Sequence, residues 1–130
     1  AVEISTEPGS PALGARLADA LLSREPSIDG IICNGDVIAL GVLNALRHSS
    51  RRVPEDVAVI GFGDNDAGVC VVPALTTIRP PRVEIGRLSA QAILSRIEGG
   101  AAERRCLDAE LIVRGTTRAP IERNPITFSS

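Results

Sequence analysis

The sequence has no lysine, tyrosine, tryptophan or methionine, and its only aromatic residues are Phe62 and Phe128. The missing lysine excludes a phosphate-binding loop of the G-x-x-x-x-G-K-[ST] type. All 14 basic residues are arginines, scattered among 16 acidic residues, and the net charge is −2. Without a basic stripe, this segment is not expected to bind nucleic acid by itself. With so few aromatics, the core must consist of aliphatic side chains, which suits layered α/β structure.

The chain also lacks long apolar runs and closely spaced cysteines. No stretch approaches the roughly 18 apolar residues that a membrane span needs, and no secretory leader pattern opens the sequence. Cys33, Cys70 and Cys106 are odd in number and too far apart for a metal-ligand motif. They are predicted to be reduced and mostly buried, which indicates a soluble cytoplasmic protein. No membrane partner, metal or cofactor is expected.

Hydrophobic spacing divides the 130 residues into alternating helices and strands. The predicted helices are 10–23, 37–47 and 81–98, the predicted strands are 28–33, 57–62, 73–78 and 106–115, a turn or short helix covers 65–72, and a polar tail begins at 118. Parallel strands need crossover connections, which the intervening helices supply. The prediction is therefore an α/β fold with three layers: a mainly parallel sheet with helices on both faces.

Two predicted strands end in glycine and acidic residues. Asn34, Gly35 and Asp36 follow the first strand, and Gly63 and Asp64 follow the next. In open parallel sheets ligands bind beyond the carboxyl ends of the strands, so these positions are the candidate ligand-binding residues. Asp36 is expected first to cap the helix that follows it and only second to contact a ligand. For Asp64 ligand contact is about as well supported as a structural role, and Asn34 has a turn role as its alternative.

Catalytic and metal-binding patterns fit this chain poorly. The stretch "GFGDND" lacks the third glycine of a dinucleotide-binding loop, and Asp64, Asp66 and Gly68 do not have the spacing of a calcium loop. His48 is predicted to be solvated at a helix end. An α/β enzyme using Asp64 or Asp36 as acid or base would need a partner residue that the sequence does not identify. No catalytic residue and no metal site are predicted.

Four short motifs carry a family pattern. They are D-x-x-A-L-G at 36–41, V-P-E-D at 53–56, P-A-L-T-T-I at 73–78 and R-G-[ST] at 114–116. In order and spacing they resemble the regulatory core of the LacI/GalR family of bacterial transcription repressors. The G-F-G-D variant at 61–64, with I-R-P-P-R following at 78–82, is most similar to the gluconate-repressor branch.

The resemblance implies a periplasmic-binding-protein-like (type I) lobe that binds a small effector, which would be a sugar, a sugar acid or a derivative. Residues 1–117 would be the C-terminal portion of that core, with about 81–104 belonging to the partner lobe and 118–130 forming a tail. Operator DNA would be bound only through a headpiece that these residues do not include. The rival within this fold is an extracytoplasmic sugar-binding protein of a transporter, against which the three unpaired cysteines and the motif pattern argue.

The family's pocket positions carry over unevenly. The position aligned with a frequent aromatic is Gly9, the position of a frequent asparagine is Gly35, with Asn34 one place earlier, and a frequent aspartate aligns with Gly63, with the acid displaced to Asp64. Each departure replaces a side chain with glycine. The resemblance therefore implies an effector that is larger than a simple sugar or that contacts backbone amides.

A symmetric dimer is also expected from the resemblance. The helix at 37–46 has more apolar residues than one buried face needs, and "VCVV" at 69–72 is unusually apolar for a loop. The predicted homodimer interface consists of Leu40, Leu43, Arg47, Cys70, Val71 and Val72. The alternative is that both segments are buried inside one lobe.

Overall fold

The computed structural model describes residues 1–101 and 104–118. The helices are α1 (Pro11–Arg24), α2 (Asp36–His48) and α3 (Arg82–Ile97), the strands are β1 (Gly30–Ile32), β2 (Ala58–Phe62), β3 (Thr76–Arg79) and β4 (Glu110–Ile112), and a turn of 3-10 helix covers Asp66–Val69. Every predicted element is present, with shorter strands than predicted. The predicted tail from residue 119 onward lies outside the described residues.

The four strands form one sheet in the order β1-β2-β3-β4. The β1–β2 and β2–β3 pairs are parallel, and β4 pairs with β3 in the antiparallel direction. The mainly parallel α/β prediction is therefore confirmed. The carboxyl ends of β1, β2 and β3 lie at one edge of the sheet, where the Gly- and Asp-containing loops begin.

Helices α1 and α2 pack against each other at a close crossing. Ser10 caps α1, because its hydroxyl oxygen accepts a hydrogen bond from the Leu13 backbone N–H at 3.1 Å, and Pro11 occupies the first helical position as predicted. At the crossing, a Cβ added to Gly41 would lie 2.0 Å from the Pro11 carbonyl oxygen, and one added to Gly14 would lie 2.2 Å from the Ile38 carbonyl oxygen. Both glycines are needed for the helix backbones to approach this closely.

The core lies between these two helices and one face of the sheet. Its fully buried members are aliphatic and include Leu46, Val57, Val59 and Leu75. The opposite face is covered unevenly in the described part of the chain: Ile32 is 76% exposed, whereas Thr76 is fully buried. Within the described residues the helices α1 and α2 pack on the first face.

The three cysteines differ in burial. Cys33 is buried, and burial is the main reason that its pKa is raised to about 11. Cys70 and Cys106 are exposed, so the prediction of mostly buried thiols is wrong for these two.

Helix α3 buries none of its residues, and several large apolar side chains along it are exposed. This helix therefore presents an apolar surface that the described residues do not cover.

Candidate functional site

Asp36 is the buried carboxylate at the carboxyl edge of the sheet. Only 1% of the residue is exposed. Its Oδ1 accepts a hydrogen bond from the Thr77 hydroxyl at 2.6 Å, and its Oδ2 accepts one from the Asn65 backbone N–H at 2.6 Å. The expected helix cap is wrong: Asp36 is the first residue of α2, and Gly35 occupies the N-cap position without a side-chain hydrogen bond. The carboxylate instead joins α2 to β3 and to the loop after β2.

Gly61 is required for Asp36 to reach this position. A Cβ on Gly61 would lie 2.3 Å from Asp36 Oδ1 and 3.0 Å from Leu75 Cδ2. The Thr77 hydroxyl, which donates to Asp36, also accepts the Asp64 backbone N–H at 3.3 Å. The glycine at the end of β2 thus permits close approach of a buried acid, and one threonine holds both strand-end loops.

Asp64 lies in an ion-pair cluster at the same edge. Its backbone φ is 51°, and its two carboxylate oxygens are held by Arg114 Nη2 at 2.6 Å and Arg79 Nε at 2.7 Å. Hydrogen bonds from these guanidinium groups, first Arg114 and then Arg79, lower the pKa of Asp64 below its ordinary value. Arg114 is fixed further, since its Nη1 donates to the Leu75 carbonyl oxygen at 2.9 Å.

The remaining predicted ligand residues lie in three loops. Gly63 adopts a φ of 128°, and a Cβ there would lie 3.4 Å from Arg82 Nη2. Asn34 is exposed in the loop before α2. Gly9 is exposed before α1, and a Cβ added to it would lie 3.7 Å from Ile38 Cδ1. Asn34 and Gly63 follow β1 and β2 at the carboxyl edge of the sheet, whereas Gly9 precedes α1.

Four polar residues of this site were not predicted from the sequence: Thr77, Arg79, Arg82 and Arg114. Arg82 begins α3 and donates from Nη2 to the Asn65 side-chain oxygen at 3.1 Å. A usable signal was present, because Arg79 and Arg114 each follow a β-branched run and precede proline or glycine. Arg79 ends a strand that is parallel to β2, and ligands in such sheets bind beyond the carboxyl ends of the strands.

The six residues of the predicted dimer interface lie together. They all line one groove of about 720 Å³, formed by α2 on one side and the segment after the 3-10 turn on the other: Leu40, Leu43, Arg47, Cys70, Val71 and Val72. Val72 is 99% exposed, whereas Leu40, Leu43 and Val71 are half-buried. The two segments therefore border one groove within a single chain, and Asn44, Ser50, Arg51 and Arg52 contribute polar groups to its lining.

The described residues, 1–101 and 104–118, contain neither a metal-ligand cluster nor a helix able to span a membrane. Within these ranges no three His, Cys, Asp or Glu side chains are grouped so that they could hold a metal ion. No helix of the same ranges combines the length and apolar character that crossing a membrane requires.

The chain is similar to known regulators in both sequence and structure. The model of the periplasmic binding protein-like domain matches residues 2–117. The transcriptional regulator GntR of Pseudomonas aeruginosa is 40% identical over 117 residues, which is 88% of this chain and 34% of the relative. The chain thus spans about a third of the length of that curated relative.

Solved structures give the same family. A transcription regulator GntR from Chromobacterium violaceum is 32% identical, with a TM-score of 0.73 over 88% of this chain and 43% of that one. A LacI family regulator from Arthrobacter sp. FB24, solved in complex with lactose, is 32% identical, with a TM-score of 0.68 over 84% of this chain and 42% of that one.

These relatives are transcriptional regulators and not enzymes, in agreement with the prediction of a non-catalytic chain. The match covers the predicted strands, both strand-end loops and the R-G-T motif. The chain belongs to the periplasmic binding protein-like domain family, and within it to the effector-binding segments of LacI-type regulators.

Proposed function

We propose that this chain is the effector-sensing and dimerisation segment of a cytoplasmic LacI-type transcriptional regulator. The observation that carries the proposal is the ordered polar edge around Asp36 and Asp64, in a chain of this family. The regulator would bind operator DNA through a segment outside these 130 residues. Effector binding at the polar edge would need no catalysis and no cofactor.

A second lobe would complete the effector cleft. The proposed boundary assigns residues of about 81–104 to that lobe, and the exposure of α3 supports it: Val83 is 88% exposed and Ile97 is 76% exposed. Apolar side chains in such numbers on one helix are normally covered. The two prolines at 80–81 separate this helix from β3. The effector would then lie between the two lobes, beside Gly63 and Asp64.

The polar groups at this edge favour an acidic effector. Both oxygens of Asp36 and both oxygens of Asp64 already accept hydrogen bonds from the chain itself. Arg82, in contrast, uses one of its guanidinium donors on Asn65, and the Asn65 side chain keeps its amide donors. A ligand arriving here meets donors and positive charge, which match a carboxylate better than a neutral hydroxyl. We therefore favour a sugar acid over a neutral sugar.

Replacing Arg82 with glutamine in the full-length regulator should weaken binding of its acidic effector by about 10- to 100-fold. The loss reflects one charge-assisted hydrogen bond, worth roughly 1.5–3 kcal/mol. Isothermal titration calorimetry against a panel of hexonic acids and the matching neutral hexoses measures it. Arg24→Gln is the matched control, because Arg24 lies at the far end of α1 and pairs with Glu3.

One result would contradict the prediction of an acidic effector. If the regulator binds a neutral hexose more tightly than any acid of the panel, and Arg82→Gln leaves that affinity unchanged, the acidic effector is wrong. The broader proposal of effector sensing would survive this result. It would fail if no small molecule of the panel bound and none altered operator release.

The groove between α2 and Val72 is the proposed dimer surface. We expect Val72→Arg, alone and combined with Leu40→Asp, to convert the full-length regulator from dimer to monomer in sedimentation velocity runs. A charge placed in an apolar interface must be desolvated without a partner, whereas Val72 is 99% exposed in the single chain and its replacement leaves the fold intact. Ala20→Arg, on the exposed side of α1, is the control that should remain dimeric.

A folded Val72→Arg variant that still sediments as a dimer would place the interface elsewhere. Circular dichroism and an unchanged melting temperature establish that the variant is folded. The double variant then tests the α2 side of the same groove.

A further inference from the structure

Residues 65–72 connect the polar edge to the groove between α2 and Val72. Asn65 lies at the edge: its side-chain oxygen accepts a hydrogen bond from Arg82 Nη2 at 3.1 Å, and its backbone N–H donates to Asp36 Oδ2 at 2.6 Å. The 3-10 turn follows Asn65, and the three residues after the turn line the groove. One short segment therefore contributes to both proposed sites.

The opposite wall of the groove also begins at the polar edge. Asp36 is the first residue of α2, and Leu40 and Leu43 of the same helix line the groove. The hydrogen bond from Asn65 to Asp36 thus joins the two walls at one end. Because Asp36 is only 1% exposed, this joint is fixed in the interior, and the position of Asn65 determines how the segment begins beside α2.

The segment is bonded internally from the edge to the groove. The Gly68 N–H donates to the Asn65 carbonyl oxygen at 2.9 Å, and the Cys70 N–H donates to the Ala67 carbonyl oxygen at 3.3 Å. A 3-10 helix rises about 2 Å per residue, so the turn spans only about 8 Å. A restraint placed on Asn65 is therefore passed over a short distance to the groove.

Few contacts hold this segment to the rest of the described chain. Among residues 65–72 only Gly68 is buried, and its carbonyl oxygen accepts a hydrogen bond from the Leu75 N–H at 2.8 Å. Val71 is half-buried against the core, and Val72 is 99% exposed. Segments with few buried contacts open locally at low free-energy cost. Ordering this segment in an interface therefore costs conformational entropy.

We infer that residues 65–72 couple effector binding to dimerisation, so that an occupied polar edge strengthens the dimer. The inference rests on the proposed effector and dimer sites. An effector that contacts Arg82 and Asn65 restrains the start of the segment, which then loses less conformational entropy when Val72 enters the interface. Coupling of this kind is reciprocal, so the dimer binds the effector more tightly than the monomer does.

Sedimentation equilibrium of the full-length regulator over a dilution series tests the coupling without any variant. The series is run with and without a saturating amount of the compound that binds most tightly in the panel of hexonic acids and hexoses. The compound should lower the dimer dissociation constant at least about fivefold. Calorimetry at protein concentrations above and below that constant should show tighter effector binding at the higher concentration.

Asp66→Pro tests whether ordering of the segment is the cause. Asp66 is the first residue of the turn, where the N–H has no partner within the helix, and Asn65 has the extended backbone that precedes proline well, with φ −84° and ψ 147°. Proline restricts the segment before any ligand binds. The variant should therefore dimerise more tightly without effector, and the effector should add less than about twofold.

Asp66→Ala is the matched control, because it removes the same exposed side chain without restricting the backbone, and it should respond to the effector as the parent does. A dimer constant that is unchanged or raised by a bound panel compound would overturn the coupling and leave the proposed function standing. Absence of binding by every panel compound, or of any dimer, would instead remove the proposed function and the coupling with it. Equal responses of Asp66→Pro and Asp66→Ala would refute ordering of residues 65–72 as the cause.

Discussion

Asp36→Ala is expected to lower the free energy of unfolding by about 4 kcal/mol. The carboxylate is 1% exposed and accepts hydrogen bonds from the Thr77 hydroxyl and the Asn65 N–H. Each bond to a charged acceptor is worth roughly 1.5–3 kcal/mol, and its removal leaves donors without a partner at a buried site. Urea denaturation of the full-length regulator, monitored at the transition of this lobe, measures the change. Effector affinity should fall as well, because Asn65 loses its anchor.

Three companion variants sharpen this result. Asp36→Asn keeps the shape and one acceptor, so it should lose about half as much stability. Asp19→Ala, at an exposed position of α1, should change stability by less than about 0.5 kcal/mol. Gly61→Ala should be harmful alone but much less so in the Asp36→Ala background, because its Cβ meets Asp36 Oδ1. An Asp36→Ala variant as stable as Asp19→Ala would refute the bridging role.

Gly41→Ala is expected to cost about 3 kcal/mol of stability. Its added Cβ would lie 2.0 Å from the Pro11 carbonyl oxygen and 2.8 Å from the Ala15 nitrogen. Both are backbone atoms of α1, so no side-chain rotation can relieve the contact and the two helices must separate. Separation exposes the core between them, which makes the effect larger than that of a tolerated overpacking substitution. Thermal denaturation of the full-length regulator provides the measurement.

The matched control is Gly86→Ala in α3. Among residues 1–101 and 104–118 nothing lies within 4 Å of a Cβ added to Gly86, and alanine is the better helix former, so this variant should gain about 0.5–1 kcal/mol. Opposite signs for the same substitution in two helices would identify the helix crossing as the cause. If Gly41→Ala were as stable as the parent protein, the close approach of α1 and α2 would be wrong.

The elements of this fold follow from local sequence patterns, and the roles of the acids do not. Residues close together in the sequence determine the helical spacing in α1 and α2, the cap at Ser10 and the proline pair before α3. Asp36 was expected to cap its own helix because that partner is adjacent in sequence. Its actual partners are Asn65 and Thr77, which only the sheet brings near.

The partner of Asp64 and the exposure of Cys70 also depend on residues that are distant in sequence or on irregular loops. Asp64 was predicted at the polar edge from its place after a strand, and it lies there. Its pairing with Arg114, 50 residues later, depends on β4 returning beside β3. The exposure of Cys70 depends on how a loop with no regular period runs over the surface. Long-range pairing and irregular loops are therefore what the sequence left undetermined.

The pairing of β3 with β4 gives the chain a mechanical property. The chain leaves the sheet after Arg79 and re-enters at Glu110, two residues that are directly paired and joined by a hydrogen bond of 3.1 Å. Helix α3 is thus connected to the sheet next to this residue pair, and the Arg82–Asn65 hydrogen bond also holds its first residue. Helix α3 has 16 residues and is about 24 Å long, so a rotation of about 10° at those points moves its far end by about 4 Å. Small torsional changes at this pair of strand ends therefore produce a large displacement of the far end of α3.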